Sequence, residues 1–252
     1  MLEIDKIYNE DCLSGMQKID DKSVDCIICD LPYGTTKCAW DVVIPFDKLW
    51  EQYNRIIKDN GAIILFGQEP FSSLLRVSNL KDYRYDIYWQ KERLTNIMQV
   101  KRRVGKDVET ISIFYKNQCT YNPQMVKYDG PKRGNKVKNG KLGKLVDDNN
   151  DKKVFEYNDT GLRYPTQVWK FKRDILTSNI HPTQKPIALY EELIKTYSNS
   201  DDLILDNCSG SGTIAIAALN TGRHFIGFET DENYYNESLK RIDSYEKFSK
   251  RK

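Results

Sequence analysis

No apolar run in this 252-residue chain reaches membrane-spanning length, and the opening Met1-Leu2-Glu3-Ile4-Asp5 lacks a signal-peptide pattern. Neither a membrane partner nor export is expected. A polybasic tail is also missing. The 39 lysines and arginines face 36 acids, and the net charge is only +3. Any nucleic-acid contact must then come from local clustering. The six cysteines, Cys12, Cys26, Cys29, Cys38, Cys119 and Cys208, show no disulfide-framework spacing, which fits a reducing cytoplasm. Cys26-x-x-Cys29 has no second pair to complete a zinc site and lies in an apolar run, so both thiols are expected to pack and no metal is expected. The Gly-Lys-Ser/Thr of a P-loop is absent. The length suffices for one large domain or a domain with an insertion.

The run Val24-Asp25-Cys26-Ile27-Ile28-Cys29 is almost wholly apolar and β-branched, as in a parallel strand buried on both faces. Asp30-Leu31-Pro32-Tyr33 follows, with Gly34 behind it. Pro32 stops the strand and stiffens the turn. Asp30 then stands at a strand's carboxyl end, where open α/β sheets bind ligands, with Tyr33 beside it as a flat aromatic face.

Around this stretch the sequence predicts a strand at 4–8, a short helix at 13–19 and a loop at 35–46. A helix capped by Asp47 carries Leu49, Trp50, Tyr53, Ile56 and Ile57 at helical spacing and is ended by Gly61. A buried strand at 62–66, a helix at 70–80 and strands at 83–89 and 110–115 follow. Beyond the middle of the chain come a helix at 186–198, a strand at 203–205, a helix at 214–220, a strand at 225–228 and a closing helix at 231–248. This rhythm implies an α/β, doubly wound sheet.

Leu203-Ile204-Leu205 ends in Asp206, and the loop Asn207-Cys208-Ser209-Gly210-Ser211-Gly212-Thr213 leads into a helix. The next strand ends in Glu229, followed by Thr230. Strand, glycine loop, helix, strand and acid make a nucleotide-binding βαβ unit. Gly210 and Gly212 allow close backbone approach. Glu229 lies 17 residues after Gly212 and can accept hydrogen bonds from both hydroxyls of a ribose. A carboxylate before the glycines repels a pyrophosphate but suits a cation. Asp206 and Glu229 therefore fit S-adenosylmethionine better than NAD.

Composition shifts near residue 117. The stretch 117–159 is polar and glycine-rich and carries Lys127, Lys132, Arg133, Lys136 and Lys138 among other lysines. Tyr121, Tyr128, Phe155 and Tyr157 are interleaved with them. A solvated loop would look like this, and so would a nucleic-acid-facing insertion.

Together these residues resemble a known family. Asp30-Leu31-Pro32-Tyr33 is similar to the D-P-P-Y catalytic motif of amino-methylating DNA methyltransferases. Cys208-Ser209-Gly210-Ser211-Gly212 is similar to their F-x-G-x-G cofactor motif. The catalytic motif comes first, with a variable region between, as in the permuted β group of N6-adenine and N4-cytosine enzymes. Asn9-Glu10-Asp11-Cys12 and His181-Pro182-Thr183-Gln184-Lys185-Pro186 resemble two further segments of that group. Leu31 departs from the first proline and Cys208 from a phenylalanine.

The resemblance implies a Rossmann-like methyltransferase sheet with a catalytic half at 1–116, a target-recognition insertion at 117–175 and a cofactor half at 176–252. It implies catalysis by Asp30, Leu31, Pro32 and Tyr33. It places the cofactor against Asp11, Cys12, His181, Lys185, Asp206, Cys208, Ser209, Gly210, Ser211, Gly212, Thr213, Glu229 and Thr230. DNA would lie on Lys127, Lys132, Arg133, Lys136 and Lys138. The implied reaction moves the methyl group of S-adenosylmethionine to N6 of an adenine flipped out of double-stranded DNA. Asp at the first motif position favours adenine. N4-cytosine methylation is the nearest alternative, and an NAD(P)-dependent oxidoreductase or a catalytically dead DNA-binding protein are others. A homodimer and a monomer both remain open.

Overall fold

The computed structural model describes residues 2–36, 38, 41–130, 160–172 and 185–249. They form two compact units: 1–122 with 166–252, and 123–165. Within the larger unit, Cys119 is buried in the core and Asn122 N–H donates to the Thr196 carbonyl at 2.7 Å.

The larger unit holds strands β1 (Lys6–Tyr8), β2 (Val24–Cys29), β3 (Ile57–Gly67), β4 (Tyr83–Gln90), β5 (Val108–Phe114), β8 (Val168–Lys170), β9 (Leu203–Asp206) and β10 (His224–Phe228). Its helices are α1 (Cys12–Met16), α2 (Phe46–Ile56), α3 (Phe71–Ser78), α4 (Ile187–Tyr197), α5 (Thr213–Asn220) and α6 (Glu232–Ser249). The strands make one sheet in the order β1-β10-β9-β2-β3-β5-β4-β8. Neighbours from β1 to β3 are parallel, and β5 runs antiparallel to both β3 and β4. Strands β2 and β9, far apart in sequence, pair through Cys26↔Ile204 and Ile27↔Leu205.

The run at 24–29 is apolar throughout because both of its faces are covered. Cys26 and Ile28 pack with Leu189 and Leu193 of α4 and Ile214 and Ala217 of α5. Ile27 and Cys29 pack on the other face with Met16 of α1, Leu49 and Tyr53 of α2 and Leu75 of α3. The two cysteines thus point to opposite sides of the sheet, since side chains three apart alternate. Among the described residues no cluster of ligands could hold a metal ion.

Two local expectations are corrected. The helix α2 begins after Pro45, whose carbonyl accepts from Leu49 N–H at 3.0 Å, so Asp47 lies in the first turn and not at the cap. A carboxylate there still favours the positive end of the helix. Gly61 does not end that helix. It lies inside β3, where a Cβ would come within 2.7 Å of the Asp25 carbonyl oxygen. Glycine is required there because two backbones approach closely, next to the register shift between Val24 and Cys26.

The smaller unit's described part is a two-stranded ribbon, β6 (Val126–Lys127) and β7 (Leu162–Arg163), paired antiparallel. Arg163 stacks its guanidinium over Tyr128, 4.5 Å from the ring centre.

Candidate active site

Three acids mark three neighbouring strand ends. Asp30 follows β2, Asp206 is the last residue of β9, and Glu229 follows β10. These ends open on a cleft of about 650 Å³. The cleft falls where the strand order reverses between β9 and β2, as expected for a ligand site in an open α/β sheet.

On the β9–β10 side, the loop 207–212 turns tightly back on Glu229. Gly210 N–H donates to Glu229 Oε2 at 2.8 Å, and Asp231 N–H donates to Oε1 at 2.8 Å. Gly210 and Gly212 both have positive φ, +49° and +71°, which disfavours any side chain there. Ser209 Oγ donates to the Asp206 carbonyl at 3.1 Å. Arg241 of α6 donates to the Ser211 carbonyl and to Thr213 Oγ1, both at 3.0 Å. The Asn9 amide donates to the Glu229 carbonyl at 2.8 Å, which ties the turn after β1 to the same end.

Asp206 is buried, has no ion-pair partner among the described residues, and accepts Cys208 N–H at 3.1 Å. Burial, with Asp30 and Glu229 nearby, pushes its carboxyl up to about 7, against the lowering effect of its hydrogen bonds. Burial also raises Glu229 despite its backbone donors. An uncompensated buried acid, a second acid beside it and a glycine turn fit a cationic, ribose-bearing ligand without phosphate.

On the β2 side each oxygen of the acid accepts one hydrogen bond. Tyr33 Oη donates to Asp30 Oδ1 at 2.5 Å, and Lys185 Nζ donates to Oδ2. The Tyr33 ring packs against Phe71 at 4.9 Å between centroids. Leu31 turns its side chain into the core, 4% exposed, among the residues that pack under α2. The loop behind Tyr33 is held by Asp41, which accepts from the backbone N–H groups of Gly34 at 2.8 Å, Thr35 at 2.9 Å and Thr36 at 2.6 Å. Burial opposes this carboxylate, but those donors and the Thr36 hydroxyl hold it below the usual range.

The cleft gathers Asp30, Leu31, Pro32 and Tyr33 with Asp11, Cys12, Lys185, Asp206, Cys208, Ser209, Gly210, Ser211, Thr213, Glu229 and Thr230. Asp11 also caps α1, accepting Ser14 N–H at 3.0 Å. Gly212 stands behind the lining, where a Cβ would come within 3.0 Å of Ser238. Lys185, expected near the cofactor, is ion-paired with Asp30 and lies 3.4 Å from Glu109. His181 falls outside the described residues, as do Lys132, Arg133, Lys136 and Lys138. Lys127 is described and exposed on β6.

Sequence reasoning passed over three features of this cleft. Asp41 carried no motif. Gln68, Lys91 and Glu109 come from three separate segments and meet only in the folded sheet. The third is the loop 91–107 between β4 and β5, whose Lys91, Leu94 and Thr95 line the cleft. It displays Ile97, Met98 and Val104, the last 89% exposed, beside Lys101, Arg102 and Arg103. A charge census of the sequence could have found it.

A DNA methylase family model matches residues 24–240. The type II methyltransferase M1.MboII of Moraxella bovis is 30% identical, with 94% of this chain and 96% of that protein covered. The DNA adenine methyltransferase YhdJ of Escherichia coli K12 is 29% identical, covering 96% of this chain and 83% of that one. Among solved structures, M1.HpyAVI with its SAM ligand superposes with a TM-score of 0.63 at 24% identity, over 94% of this chain and 98% of that one. The cytosine-N4-specific PvuII DNA methyltransferase gives 0.65 at 17% identity, over 95% and 90%. The fold and site define an S-adenosylmethionine-dependent methyltransferase. The chain belongs to the DNA methylase family of N6-adenine and N4-cytosine enzymes, and its reaction is methyl transfer to DNA. The NAD(P) reading is thereby set aside.

Proposed function

We propose that this chain methylates N6 of adenine in double-stranded DNA, and that Asp30 and Leu31 hold the target amine. The observation that carries this reading is a carboxylate, not a hydroxyl, at the first motif position, standing in the cleft beside an aromatic ring. The name of the adenine-specific relative from Escherichia coli supports the same choice. Two relatives named as type II methyltransferases support a restriction–modification setting in the cytoplasm.

S-adenosylmethionine, when bound, supplies an electrophilic sulfonium methyl. Asp206 and Glu229 would hold its cationic end and its ribose, with Asp11, Cys12 and the 208–213 turn around them. An exocyclic amine is a poor nucleophile because its lone pair is delocalised into the ring. Acceptance of its two N–H bonds by the Asp30 carboxylate and the Leu31 carbonyl draws the nitrogen toward tetrahedral geometry and frees the lone pair. Each carboxylate oxygen has two acceptor sites, so Asp30 can bind the amine while keeping Tyr33 and Lys185. Its charge also offsets the positive charge that grows on nitrogen. The Tyr33 ring would stack on the flipped base, worth about 1–3 kcal/mol.

The test is single-turnover transfer of a labelled methyl group to DNA, followed by nucleoside analysis. The expected product is N6-methyladenine, and N4-methylcytosine would overturn the adenine assignment. Asp30→Ala should lose at least about a hundredfold in rate with its fold intact. Tyr33→Phe keeps the ring but removes a donor to Asp30, so its loss should be smaller, of about tenfold.

A further inference from the structure

Beyond Asp30 the cleft wall contains another acid, and this one is buried. Glu109 is the second residue of β5, paired across from Trp89 of β4, and is 5% exposed. Because β5 runs antiparallel to its neighbours, its start lies at the same sheet edge as the carboxyl ends of the parallel strands. Glu109 Oε1 accepts from Lys91 Nζ and, at 2.7 Å, from the Gln68 amide. Lys106 donates to Gln68 Oε1 at 2.6 Å, which turns that amide's N–H groups toward Glu109. Glu109 Oε2 accepts no hydrogen bond among the described residues and faces Lys185 Nζ at 3.4 Å. Lys185 is 6% exposed and holds Asp30 on its other side. The result is a ladder of alternating charge: Asp30, Lys185, Glu109, Lys91.

Burying three charges beside a half-buried fourth is a poor route to stability, since apolar replacements usually serve as well. The ladder ends on the group that meets the target amine. We infer that Glu109 is a positioning residue for methyl transfer, acting through Lys185 to fix the Asp30 carboxylate and preserve its negative field. This rests on the reading that Asp30 contacts that amine. Lys185 alone would largely neutralise Asp30 just where positive charge develops on the amine. Glu109 shares the ammonium, so more of the Asp30 charge stays available to the reacting nitrogen. The carboxylate is also held in one orientation without losing its free acceptor sites.

The electrostatics agree with this division of roles. Burial disfavours Glu109 as an anion, but Lys185 and Lys91 hold it at about 2. Burial likewise works against the Lys185 ammonium, and Asp30 and Glu109 outweigh it, so Lys185 sits above the ordinary lysine value. The other titratable groups around them are Tyr33, Tyr190, Lys91 and Asp206. Burial pushes both tyrosines well up, so they stay neutral. Asp206, at about 7, titrates below the alkaline range.

The experiment is Glu109→Gln, which keeps the shape and removes the charge, in single-turnover methyl transfer across pH. Cofactor and DNA affinities are measured alongside. The rate near neutrality should fall about tenfold, as for one lost charged partner. Both affinities should stay within about twofold. Any alkaline loss of rate should begin at a lower pH than in the unaltered protein, because Lys185, which holds the Asp30 carboxylate in place, has lost one of its two anions. Glu109→Asp should recover the alkaline rate. If Glu109→Gln fails to fold, Gln68→Leu carries the test, with a loss of about threefold and unchanged affinities. A Glu109→Gln rate and pH profile like the parent's would overturn the proposal. So would a loss traced wholly to weaker cofactor or DNA binding, or an aspartate no better than glutamine. Asp30→Asn in the same assay separates the two readings. A near-normal rate there removes Asp30 from the reaction, whereas an inactive Asp30→Asn beside a normal Glu109→Gln removes only the role of Glu109.

Discussion

Asp206 is the residue whose surroundings make the sharpest demand on a ligand. Its carboxyl sits at about 7 in the free protein, above the ordinary 3.8. Between those values the folded chain holds a proton that the unfolded chain has released. Stability of the cofactor-free protein therefore falls as pH rises through this window, and the full cost is present above about pH 7. Asp206→Asn should raise stability at pH 8 by roughly 2–4 kcal/mol, seen as a higher melting temperature. A cationic ligand reverses the sign, because it needs the anion. S-adenosylmethionine affinity should rise by up to about tenfold per pH unit below pH 7 and then level off, with proton release on binding at pH 6. Calorimetry in buffers of different ionisation enthalpy reads both. Flat affinity from pH 5.5 to 8 would take Asp206 out of the cofactor site.

At the scale of elements, the loop between β4 and β5 is a built structure and not slack chain. Lys91 N–H bonds to the Asp107 carbonyl at 2.7 Å, Thr95 N–H to that of Lys106 at 2.7 Å, and the Asn96 amide to that of Val104 at 3.0 Å. Its first residues Lys91, Leu94 and Thr95 line the cleft, and its exposed turn carries Lys101, Arg102 and Arg103. Arg102→Ala with Arg103→Ala should weaken DNA binding across sequences and flatten its salt dependence by about one unit per lost phosphate contact. Fluorescence anisotropy over a salt series measures the slope. An unchanged slope would take this loop out of the DNA contact.

At the scale of the whole molecule, the cleft joins segments from both ends of the chain. Asp30 and Tyr33 come from the first part, while Lys185, Asp206 and Glu229 come from the last. Pairing of β2 with β9 makes these halves one sheet. A ligand bound there should stabilise both together. S-adenosylmethionine at about 100 times its Kd should add about 2.7 kcal/mol and shift one cooperative transition. A calorimetric trace in which only one of two transitions moves would show that the halves melt independently. Among the described residues, no helix is long and apolar enough to cross a membrane.

The apolar runs at 24–29, 62–66, 203–205 and 225–228 were legible as buried strands because a strand covered on both faces has no polar positions to spare. Asp30, Asp206 and Glu229 were legible because each directly follows such a run, and a strand's end is visible in the sequence. Gly61 is ambiguous in the sequence for the opposite reason. A helix stop and a close backbone approach both select glycine, and only the pairing of β3 with β2 tells them apart. Glu109 could not be singled out at all. Its partners Gln68, Lys91 and Lys185 lie on separate segments, and their charges meet only when β5 is laid beside β3 and β4. Local periodicity and strand-end chemistry are written along the chain and set the class of protein and its main acids. Which cation faces which acid depends on strand order and direction, and that was decided by tertiary packing.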